Sequence, residues 1–488
     1  MTEGADNRRT LSRRAALATG AAFAGAIIGG LSWGVVGQSD GIIDWHGLDS
    51  IRDNPSGTYS LAANLDENSS GYDDHASPDA NDGDGWEPIT GFDGSFDGNG
   101  YSISDLFIER TVTGDDSNIG LFASVSGSVS NLGVRNVDID GTDSLGALAG
   151  TNSGQLSNCY ASGSIEIGDS RQYQAQRAGG LVGRNTGTIT NSRAHTSVFC
   201  GMDVGGFVGR NEGTIEECYV EALGVGGTQS YVGGFVGSNT GDITSCYADV
   251  SDTGDRLNTS MPVTGYGGFA GENTDDGSIT ESYSLGPVFV NTLDEDIYVG
   301  GFVGENTGNA AVSHAYAAGS ADDLEKTAGG VAGLNTATLD VVYYNEGQND
   351  VGIGEDSGTS NVIGVDQFDM RGSSAEDEMD QLDFEHTWET VDYRSPGEEP
   401  VLQILLPDPI GPFENRPHDL SGDGRFDDVN GDLTSTVVDV QALLQHLDDP
   451  VVQEHAHRFN YSGGNPGIVT EDDVHAMFEQ ITGDDADA

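Results

Sequence analysis

The chain has 488 residues and a formal net charge of −61, with 80 acidic residues against 19 basic ones. So acidic a surface repels a phosphate backbone, which excludes nucleic-acid binding. Among the basic residues Lys326 is the single lysine. This charge would destabilise a compact fold by self-repulsion at low ionic strength, whereas molar salt shortens the Debye length to about 3 Å and screens it. The composition therefore favours a protein built for very high salt over an ordinary acidic secreted protein.

Residues 1–38 predict an export signal. Arg13 and Arg14 stand in the string SRRAAL, and an uncharged run rich in glycine and alanine follows at 15–36. The string resembles a twin-arginine signal, which implies an extracellular or cell-surface location. The run is also long enough to span a bilayer, so cleavage and retention as an anchor both stay open. Membrane contact is predicted only through this segment.

A lead-in at 39–115 precedes a unit that repeats from 116 to 345 about every 30 residues. Short β-rich runs with glycine punctuation and no helical periodicity predict one coil of an all-β solenoid per repeat. We expect glycines where a corner needs a positive φ. Two residues after each G-x-x-G comes an asparagine, and these side chains are expected to form a hydrogen-bonded ladder. They are Asn152, Asn185, Asn211, Asn239, Asn273, Asn306 and Asn335.

The second half of each repeat alternates with a period of two, which separates an inner face from an outer one. The inner register contains all four cysteines, Cys159, Cys200, Cys218 and Cys246. Equivalent positions in other repeats hold small residues such as Ser282 and Ala315, which favours buried free thiols over disulfides.

The opposite register predicts an outward ladder with one large side chain per coil. Neighbouring rings can pack on each other for stability alone. The ladder can also offer a flat stripe that stacks on sugar rings or on another protein, and both interpretations stay open. Its members are Tyr160, Arg193, Tyr219, Tyr247, Tyr283, Tyr316 and Tyr343.

The repeat V/A-G-G-(L/F)-V-G-x-N-x-G-x-I, seen for example as GGFVGRNEGTI, resembles the GLUG repeat. Upstream, FDGSFDGNGYSISDLFI from Phe92 resembles the lead-in coils of pectin-lyase-like proteins. Downstream, TWETVDYRSPGEEPVLQIL resembles the closing segment of such proteins, within a predicted C-terminal cap at 346–410. The resemblance covers about residues 40 to 408. It implies a right-handed parallel β-helix in a surface protein of bacteria or archaea, including haloarchaea, and implies no defined reaction.

No catalytic residue is predicted. Polysaccharide lyases of this shape need clustered acidic calcium ligands beside a basic residue, and glycoside hydrolases need a carboxylate pair at a defined separation. No such set recurs in the repeats at a fixed register with a basic partner. A polysaccharide-acting enzyme therefore stays the alternative to a noncatalytic protein.

Residues 411–488 predict a small helical module that binds calcium, the only cofactor expected. Calcium takes about six to eight oxygen ligands, and a loop of about 12 residues supplies them from positions 1, 3, 5, 7, 9 and 12. The loop resembles that of an EF-hand of the type I dockerin class, with Leu433 in place of the usual glycine. Its ligands would be Asp428, Asn430, Asp432, Thr434, Thr436 and Asp439.

Two weaker cation loops flank this one. An overlapping frame starts earlier and uses Asp419, Ser421, Asp423 and Asp427. A later copy has a helix but a degraded loop that retains Asn460 and Ser462, so we expect it to bind calcium weakly or not at all.

Together these features predict an exported, noncatalytic surface protein that mediates adhesion or assembly. Its dockerin-like module at 411–488 would bind a cohesin-like or other envelope protein, and glycans are possible partners of the β-helix face. The alternative is a polysaccharide-acting enzyme, or a carbohydrate-binding subunit, tethered through the module. Sequons at Asn68, Asn258 and Asn460 leave glycosylation open.

Overall fold

Each repeat folds into one coil of a parallel β-solenoid. The computed structural model describes residues 41–110, 118–166, 175–227, 230–254, 263–290, 297–323, 328–391, 398–421, 425–462 and 469–484. The coil from 203 to 227 is representative: Asp203–Gly205, Val208–Asn211, Thr214–Glu216, Tyr219–Ala222 and Val225–Gly227 follow one another around the axis. Each strand pairs in parallel with its equivalent in the next coil. The predicted all-β solenoid is confirmed.

Three parallel sheets run along the solenoid, and the register joins equivalent repeat positions. The six-stranded sheet contains Asp143–Leu145, Ala175–Gly179, Asp203–Gly205, Ser230–Gly233, Val263–Gly267 and Tyr298–Gly300. The nine-stranded sheet contains Phe122–Val125, Ala149–Asn152, Val182–Asn185, Val208–Asn211, Val236–Asn239, Ala270–Asn273, Val303–Asn306, Ala332–Asn335 and Ile353–Asp356.

The third sheet has 21 strands because it contains two or three segments of each coil. It begins in the lead-in and continues past residue 345. Its strands are Thr58–Ser60, Ser95–Asp97, Ser102–Ser104, Phe107–Glu109, Ser128–Asp140, Gln155–Glu166, Thr188–Thr190, Arg193–Cys200, Thr214–Glu216, Tyr219–Ala222, Val225–Gly227, Asp242–Thr244, Tyr247–Val250, Thr253–Gly254, Ser278–Thr280, Tyr283–Ser284, Val288–Val290, Ala311–Ala317, Ala321–Asp323, Thr338–Asn345 and Thr359–Val365.

The solenoid interior is filled by stacks of equivalent side chains. Phe207, Phe235, Phe269 and Phe302 stack with ring centroids 4.8, 4.8 and 4.9 Å apart, which is the spacing of the coils themselves. All four cysteines are buried and free, as the alternating register predicts. Each coil thus buries its apolar face mainly against its two neighbours, the organisation expected of a solenoid.

The asparagines that follow each G-x-x-G are buried inside the turn and form the predicted ladder. Each Nδ2 donates to the Oδ1 of the next asparagine toward the C-terminus, at 2.8 to 3.0 Å, from Asn152 to Asn335. The Oδ1 of Asn211 also accepts from the Gly213 backbone N–H, so the side chain closes its own turn. The final amide, on Asn335, donates to Asp356 at 2.9 Å.

Although Gly163 and Gly308 have φ values of 129° and 71°, the prediction that glycines supply positive φ is wrong for most of the repeat glycines. They serve close backbone approach instead: a Cβ on Gly206 would lie 2.3 Å from the carbonyl oxygen of Gly234 in the next coil. The positive φ falls on a different corner, immediately before the inward cysteine position, where φ lies between 46° and 55°. Its residues are Asn131, Asn158, Asn191, Glu217, Ser245, Glu281, His314 and Val341. Asparagine tolerates this conformation, whereas a β-branched valine is strained there.

Short helices lie at both ends of the described chain. The N-terminal ones are Trp45–Asp49 and Tyr72–His75, with 3₁₀ turns at Ser50–Asp53 and Ala80–Gly83. The C-terminal ones are Ser374–Glu378, Val437–Gln445, Pro450–Glu454 and Glu471–Asp484, with 3₁₀ turns at Gln403–Leu405 and Ala456–Phe459. Among these residues no helix combines the length and apolarity needed to cross a bilayer. The predicted export signal lies outside the described residues.

The closing segment, residues 366–405, packs against the outside of the solenoid. It contains an antiparallel pair, Trp388–Val391 with Glu398–Leu402. Its buried side chains Met370, Met379 and Trp388 form a second hydrophobic core. The C-terminal module, residues 411–484, has a third core of its own around Val429, Leu443 and Met477.

Candidate cation loop and aromatic ladder

The tyrosine ladder forms as a continuous stack. Ring centroids are 4.8 Å apart for Tyr219 and Tyr247, 4.9 Å for Tyr247 and Tyr283, and 5.0 Å for Tyr283 and Tyr316, with planes within 7° of parallel. Parallel in-register strands impose this spacing. At one end the guanidinium of Arg193 lies 4.7 Å from the ring centre of Tyr160, a cation–π contact.

The exposure predicted for this ladder is wrong for four of its members. Tyr247, Tyr283, Tyr316 and Tyr343 are all buried, in a hydrophobic core that they share with the closing segment. Trp388 lies 5.9 Å from Tyr283 and 5.6 Å from Tyr316. The Tyr316 hydroxyl donates to the Pro400 carbonyl at 2.6 Å, and the Gln381 N–H donates to the Tyr343 hydroxyl at 3.1 Å. Only Tyr160, Arg193 and Tyr219 stay partly exposed.

The predicted calcium loop folds around two fully buried carboxylates, those of Asp428 and Asp439. Asp428 accepts from the N–H of Asp432 at 3.0 Å and of Leu433 at 2.8 Å. His418, which sequence reasoning missed, places its Nδ1 3.0 Å from the carboxylate oxygen of Asp428 that also accepts from Leu433. No spacing rule could have found it, because a β-bridge between His418 and Asp428 brings the two together.

Asp439 connects the loop to the helix Val437–Gln445. One carboxylate oxygen accepts from the N–H groups of Val429 and Asn430, and the other accepts from the N–H and hydroxyl of Thr436. Thr436 in turn accepts from the Val438 N–H, which completes a capping box at the helix start. Burial and the charge of Asp428 raise the pKa of Asp439, although its N–H donors oppose them. The carboxylate thus already helps to start the helix.

Leu433 adopts the conformation that the missing glycine would have. Its φ is 64°, and its side chain is 55% exposed. A left-handed leucine costs about 1–2 kcal/mol relative to a right-handed one. The loop therefore keeps the turn expected of position 6, but under strain.

The donor set fits calcium in its chemistry. Asn430 and Asp432 orient their side-chain oxygens by accepting from the next loop N–H groups, as Asp428 does. Three carboxylates, two of them buried, with an amide and two hydroxyls form an all-oxygen set, which is what calcium prefers. Among the described side chains, no three His, Cys, Asp or Glu groups converge as closely as a formed metal centre requires. Calcium binding stays a prediction.

The two weaker loops are organised by single carboxylates. Asp427 accepts from the N–H of Leu420 at 2.6 Å and of Ser421 at 3.1 Å, and the Ser421 hydroxyl donates to Asp419 at 3.3 Å. Asp423 lies outside the described residues. In the later copy Asp473 accepts from Ser462 and Thr470, which mirrors the contacts of Asp439. Of the sequons, Asn68 is exposed, whereas Asn258 lies outside the described residues.

A pair of glutamates that sequence reasoning missed lies on the nine-stranded sheet. Glu272 and Glu305 occupy the same position on adjacent strands. The Ser238 hydroxyl donates to Glu272 at 3.0 Å. Burial, together with the charge of Glu272, raises the pKa of Glu305 to about 7. Glu305 therefore takes up a proton near neutral pH, on the strand beside Glu272.

A polar groove of about 500 Å³ lies on another part of the solenoid. The groove runs across three neighbouring coils. Asp105, Asn136 and Gly163, one in each coil, all have positive φ. The Asn136 amide donates to Asp105 at 2.5 Å. The groove is lined by Ser104, Asp105, Arg135, Asn136, Ser162, Gly163, His195, Ser197 and Leu223.

Comparison with known proteins finds the GLUG motif at residues 174–198 and 228–253. The chain is 31% identical to halomucin of Haloquadratum walsbyi over 154 residues, which are 30% of this chain and 2% of halomucin. It is 35% identical over 130 residues to a "Putative Gly-rich membrane protein" of Evansella cellulosilytica, 25% of this chain and 14% of that protein. The chain thus spans a small part of each relative. A "putative immunoglobulin A1 protease" structure from Bacteroides ovatus aligns over 73% of this chain and 90% of its own, with 16% identity and a TM-score of 0.40.

Proposed function

We propose that this chain is an exported surface or extracellular protein in which a noncatalytic solenoid carries a calcium-dependent docking module. A solenoid whose recurring repeat positions form internal stacks supports a scaffolding role in adhesion or assembly. The relatives support the surface location, since one is named a membrane protein and the other a mucin. The acidity and the match to a Haloquadratum protein support a haloarchaeal-type environment.

The observation that carries the docking role is an exposed apolar face on the module. Val437 and Leu444, two helical turns apart, are 52% and 50% exposed, and Val438 between them is 54% exposed. Exposed apolar side chains that lie together on one helix are a surface that a partner can cover. It begins at positions 10 and 11 of the proposed calcium loop, so the ion and the partner would act on one helix. A cohesin-like or other envelope protein fits this role.

Calcium would be held by Asp428, Asn430, Asp432, Thr434 and Asp439, with Thr436 at the ninth position. When bound, the ion supplies positive charge between the carboxylates. This charge offsets the cost of burying them in their ionised form. The residues of the chain order the loop and the start of the helix: Asp439 caps the helix, and Asp428 fixes the turn at Leu433. Cation binding and ordering of the docking helix should therefore be coupled.

Amide hydrogen exchange on the full chain in molar salt tests this coupling. Replacing chelator by calcium should slow exchange in Val437–Gln445 by about tenfold or more, since ion binding stabilises the bound state. Asp428→Ala combined with Asp432→Ala should abolish the change. Asp472→Ala is the matched control, because this exposed aspartate lies outside the loop. Equal exchange in calcium and chelator would remove the calcium role.

The docking face is tested separately with Leu444→Asp. Envelope proteins from the native cell should be retained by the wild-type chain in calcium and released by chelator. The Leu444→Asp chain should retain calcium binding but lose the partner. Retention of the same partner by both chains would place docking elsewhere on the molecule.

A polysaccharide-acting enzyme is the second candidate, and Glu272 with Glu305 is the observation that favours it. Retaining glycosidases place two carboxyl groups about 5–5.5 Å apart and keep one protonated as the acid. Adjacent parallel strands are about 4.8 Å apart, which suits this separation. Glu305 would be the acid and Glu272 the nucleophile. Hydrolysis of an envelope polysaccharide that disappears in both Glu305→Gln and Glu272→Gln would establish this function, and hydrolysis that survives either change would reject it.

The polar groove supports the related idea of a carbohydrate-binding subunit. Its serine hydroxyls, the Asn136 amide and the His195 ring are hydrogen-bonding groups suited to sugar hydroxyls. Titration of envelope glycans into the chain should lose affinity on His195→Ala if the groove binds them. The control is His314→Ala, at another exposed position of the solenoid.

A further inference from the structure

An arginine of the C-terminal module contacts the solenoid. Arg458, in the turn Ala456–Phe459, places its Nη2 3.7 Å from a carboxylate oxygen of Glu221. The Tyr247 hydroxyl donates to the same oxygen at 2.8 Å. Glu221 stands two residues after Tyr219 on the same outward face, so the ladder and the carboxylate form one surface.

We propose that Tyr219, Glu221 and Tyr247 form a recognition site for an arginine side chain, and that Arg458 occupies it so that the C-terminal module is a latch over the aromatic ladder. The latch goes beyond the proposed calcium-dependent docking, because Arg458 does not belong to the exposed face of Val437, Val438 and Leu444. The group that covers this part of the ladder is then Arg458 of the same chain.

The charge of the chain makes this arginine significant. With 80 acidic residues against 19 basic ones, the module and the solenoid repel each other unless cations lie between them. Arg458 is about a quarter exposed, so its ion pair with Glu221 is only partly screened by solvent. A second arginine, Arg416, lies 3.7 Å from Glu389 of the closing segment and reinforces the same contact.

The neighbouring titratable groups leave the positive charge on Arg458. Burial, followed by the charges of Arg458 and Arg193, lowers the pKa of His455 to about 4, so this histidine is neutral near pH 7. Burial would lower the pKa of Arg458, but Glu221 and the tyrosines outweigh it, and the net shift is upward. A guanidinium suits a carboxylate beside aromatic rings better than an ammonium does, because it is planar and weakly hydrated.

The latch is joined to the first acidic loop of the module. The Phe426 N–H donates to the Arg458 carbonyl at 2.8 Å, and the Tyr461 hydroxyl donates to the Phe426 carbonyl at 2.8 Å. The guanidinium lies 5.7 Å from the centre of the Phe426 ring. Phe426 immediately precedes Asp427 and Asp428. A change in the conformation of the loops that contain these two residues should therefore also move Arg458.

Hydroxyl-radical footprinting of the full chain tests the latch. We expect Arg458→Gln and Glu221→Gln each to raise the labelling of Tyr219 and Tyr247 several-fold. Labelling of Tyr316 should stay constant, because the closing segment covers it independently and so reports that the solenoid is folded. The matched control is Arg425→Gln, an arginine of the module that stacks on Tyr461 at 5.0 Å. It should leave all three tyrosines unchanged.

A charge exchange separates the specific pair from general destabilisation. Glu221→Arg alone and Arg458→Glu alone should open the latch, and the two together should restore most of the protection. Unchanged labelling in Arg458→Gln, equal exposure in Arg425→Gln, or no rescue by the exchange would each overturn the proposal. If Arg458→Gln exposes the ladder, the latch stands even where the hydrogen-exchange test shows no effect of calcium, so the two proposals can fail separately.

Discussion

The solenoid and the C-terminal module belong to the same acidic chain but differ in the polar groups that they bury. Inside the solenoid the buried polar groups are mostly neutral amides and hydroxyls, and each stack repeats from coil to coil, so the loss of one member affects mainly its neighbours. The module instead buries the carboxylates of Asp428, Asp439 and Asp473, each serving several backbone donors. Repetition therefore gives the solenoid a distributed stability, whereas a few charged groups determine the order of the module.

The largest expected effect is on an interior stack of the solenoid. Phe235→Ala removes a ring that is fully buried between Phe207 and Phe269, and should lower the free energy of unfolding by about 3–5 kcal/mol. Phe289→Ala is the control, because this ring is 48% exposed and should cost under about 1 kcal/mol. Denaturant unfolding of both chains measures the difference. Equal losses would contradict the assignment of the inner face.

Next in size is the module. Asp439→Ala leaves the N–H groups of Val429, Asn430 and Thr436 without their acceptor and should cost about 3 kcal/mol locally. In chelator, hydrogen exchange should accelerate in Val437–Gln445 and stay unchanged in the solenoid strands. An equal acceleration in both regions would mean that they unfold as one cooperative unit.

The stability of the solenoid should depend on pH through the protonation of Glu305. The pKa of Glu305 rises from 4.5 to about 7 on folding, so the folded chain binds this proton more tightly than the unfolded chain. Its stabilising contribution is complete below pH 4.5 and is lost as the pH rises through about 7. Glu305→Gln should therefore stabilise the solenoid at pH 8, by on the order of 1–2 kcal/mol after solvent screening. Glu355→Gln, at the equivalent exposed position two coils on, should show no such gain in thermal unfolding at pH 5 and pH 8.

The smallest expected effect comes from backbone strain. The same substitution, to glycine, tests it at one position in the solenoid and one in the module. His314 in the solenoid and Leu433 in the module have φ values of 51° and 64°. Glycine should relieve the left-handed conformation, and the net gain should be about 0.5–1 kcal/mol because glycine also loses more entropy on folding. Alanine at either position removes the same side chain but keeps the strain, so it should give no gain. Denaturant midpoints of the four variants decide this.

The solenoid could be predicted from the sequence because two independent periods agree. A repeat of about 30 residues sets the coil, and the alternation around Cys159 and Cys218 sets the inner face. The closing segment carries neither period, so nothing in it indicated that Trp388 and Pro400 would cover the ladder. The left-handed corners were missed because their occupants are chemically diverse, from Asn158 to Val341. Within the module, loop spacing suggested Asp428 and Asp439, but His418 and Arg458 depend on tertiary contacts alone.

The asparagine ladder gives the solenoid an electrical direction. Every amide from Asn152 to Asn335 donates toward the C-terminal coil, so the side-chain dipoles align instead of cancelling, and aligned hydrogen bonds polarise one another. The positive end of this row meets the carboxylate of Asp356. The Ser360 hydroxyl contributes most to lowering the pKa of Asp356, and the Asn335 amide adds to that effect against the opposing influence of burial. An anion thus terminates the row, and a coil stacked in the reverse orientation would present a donor to a donor.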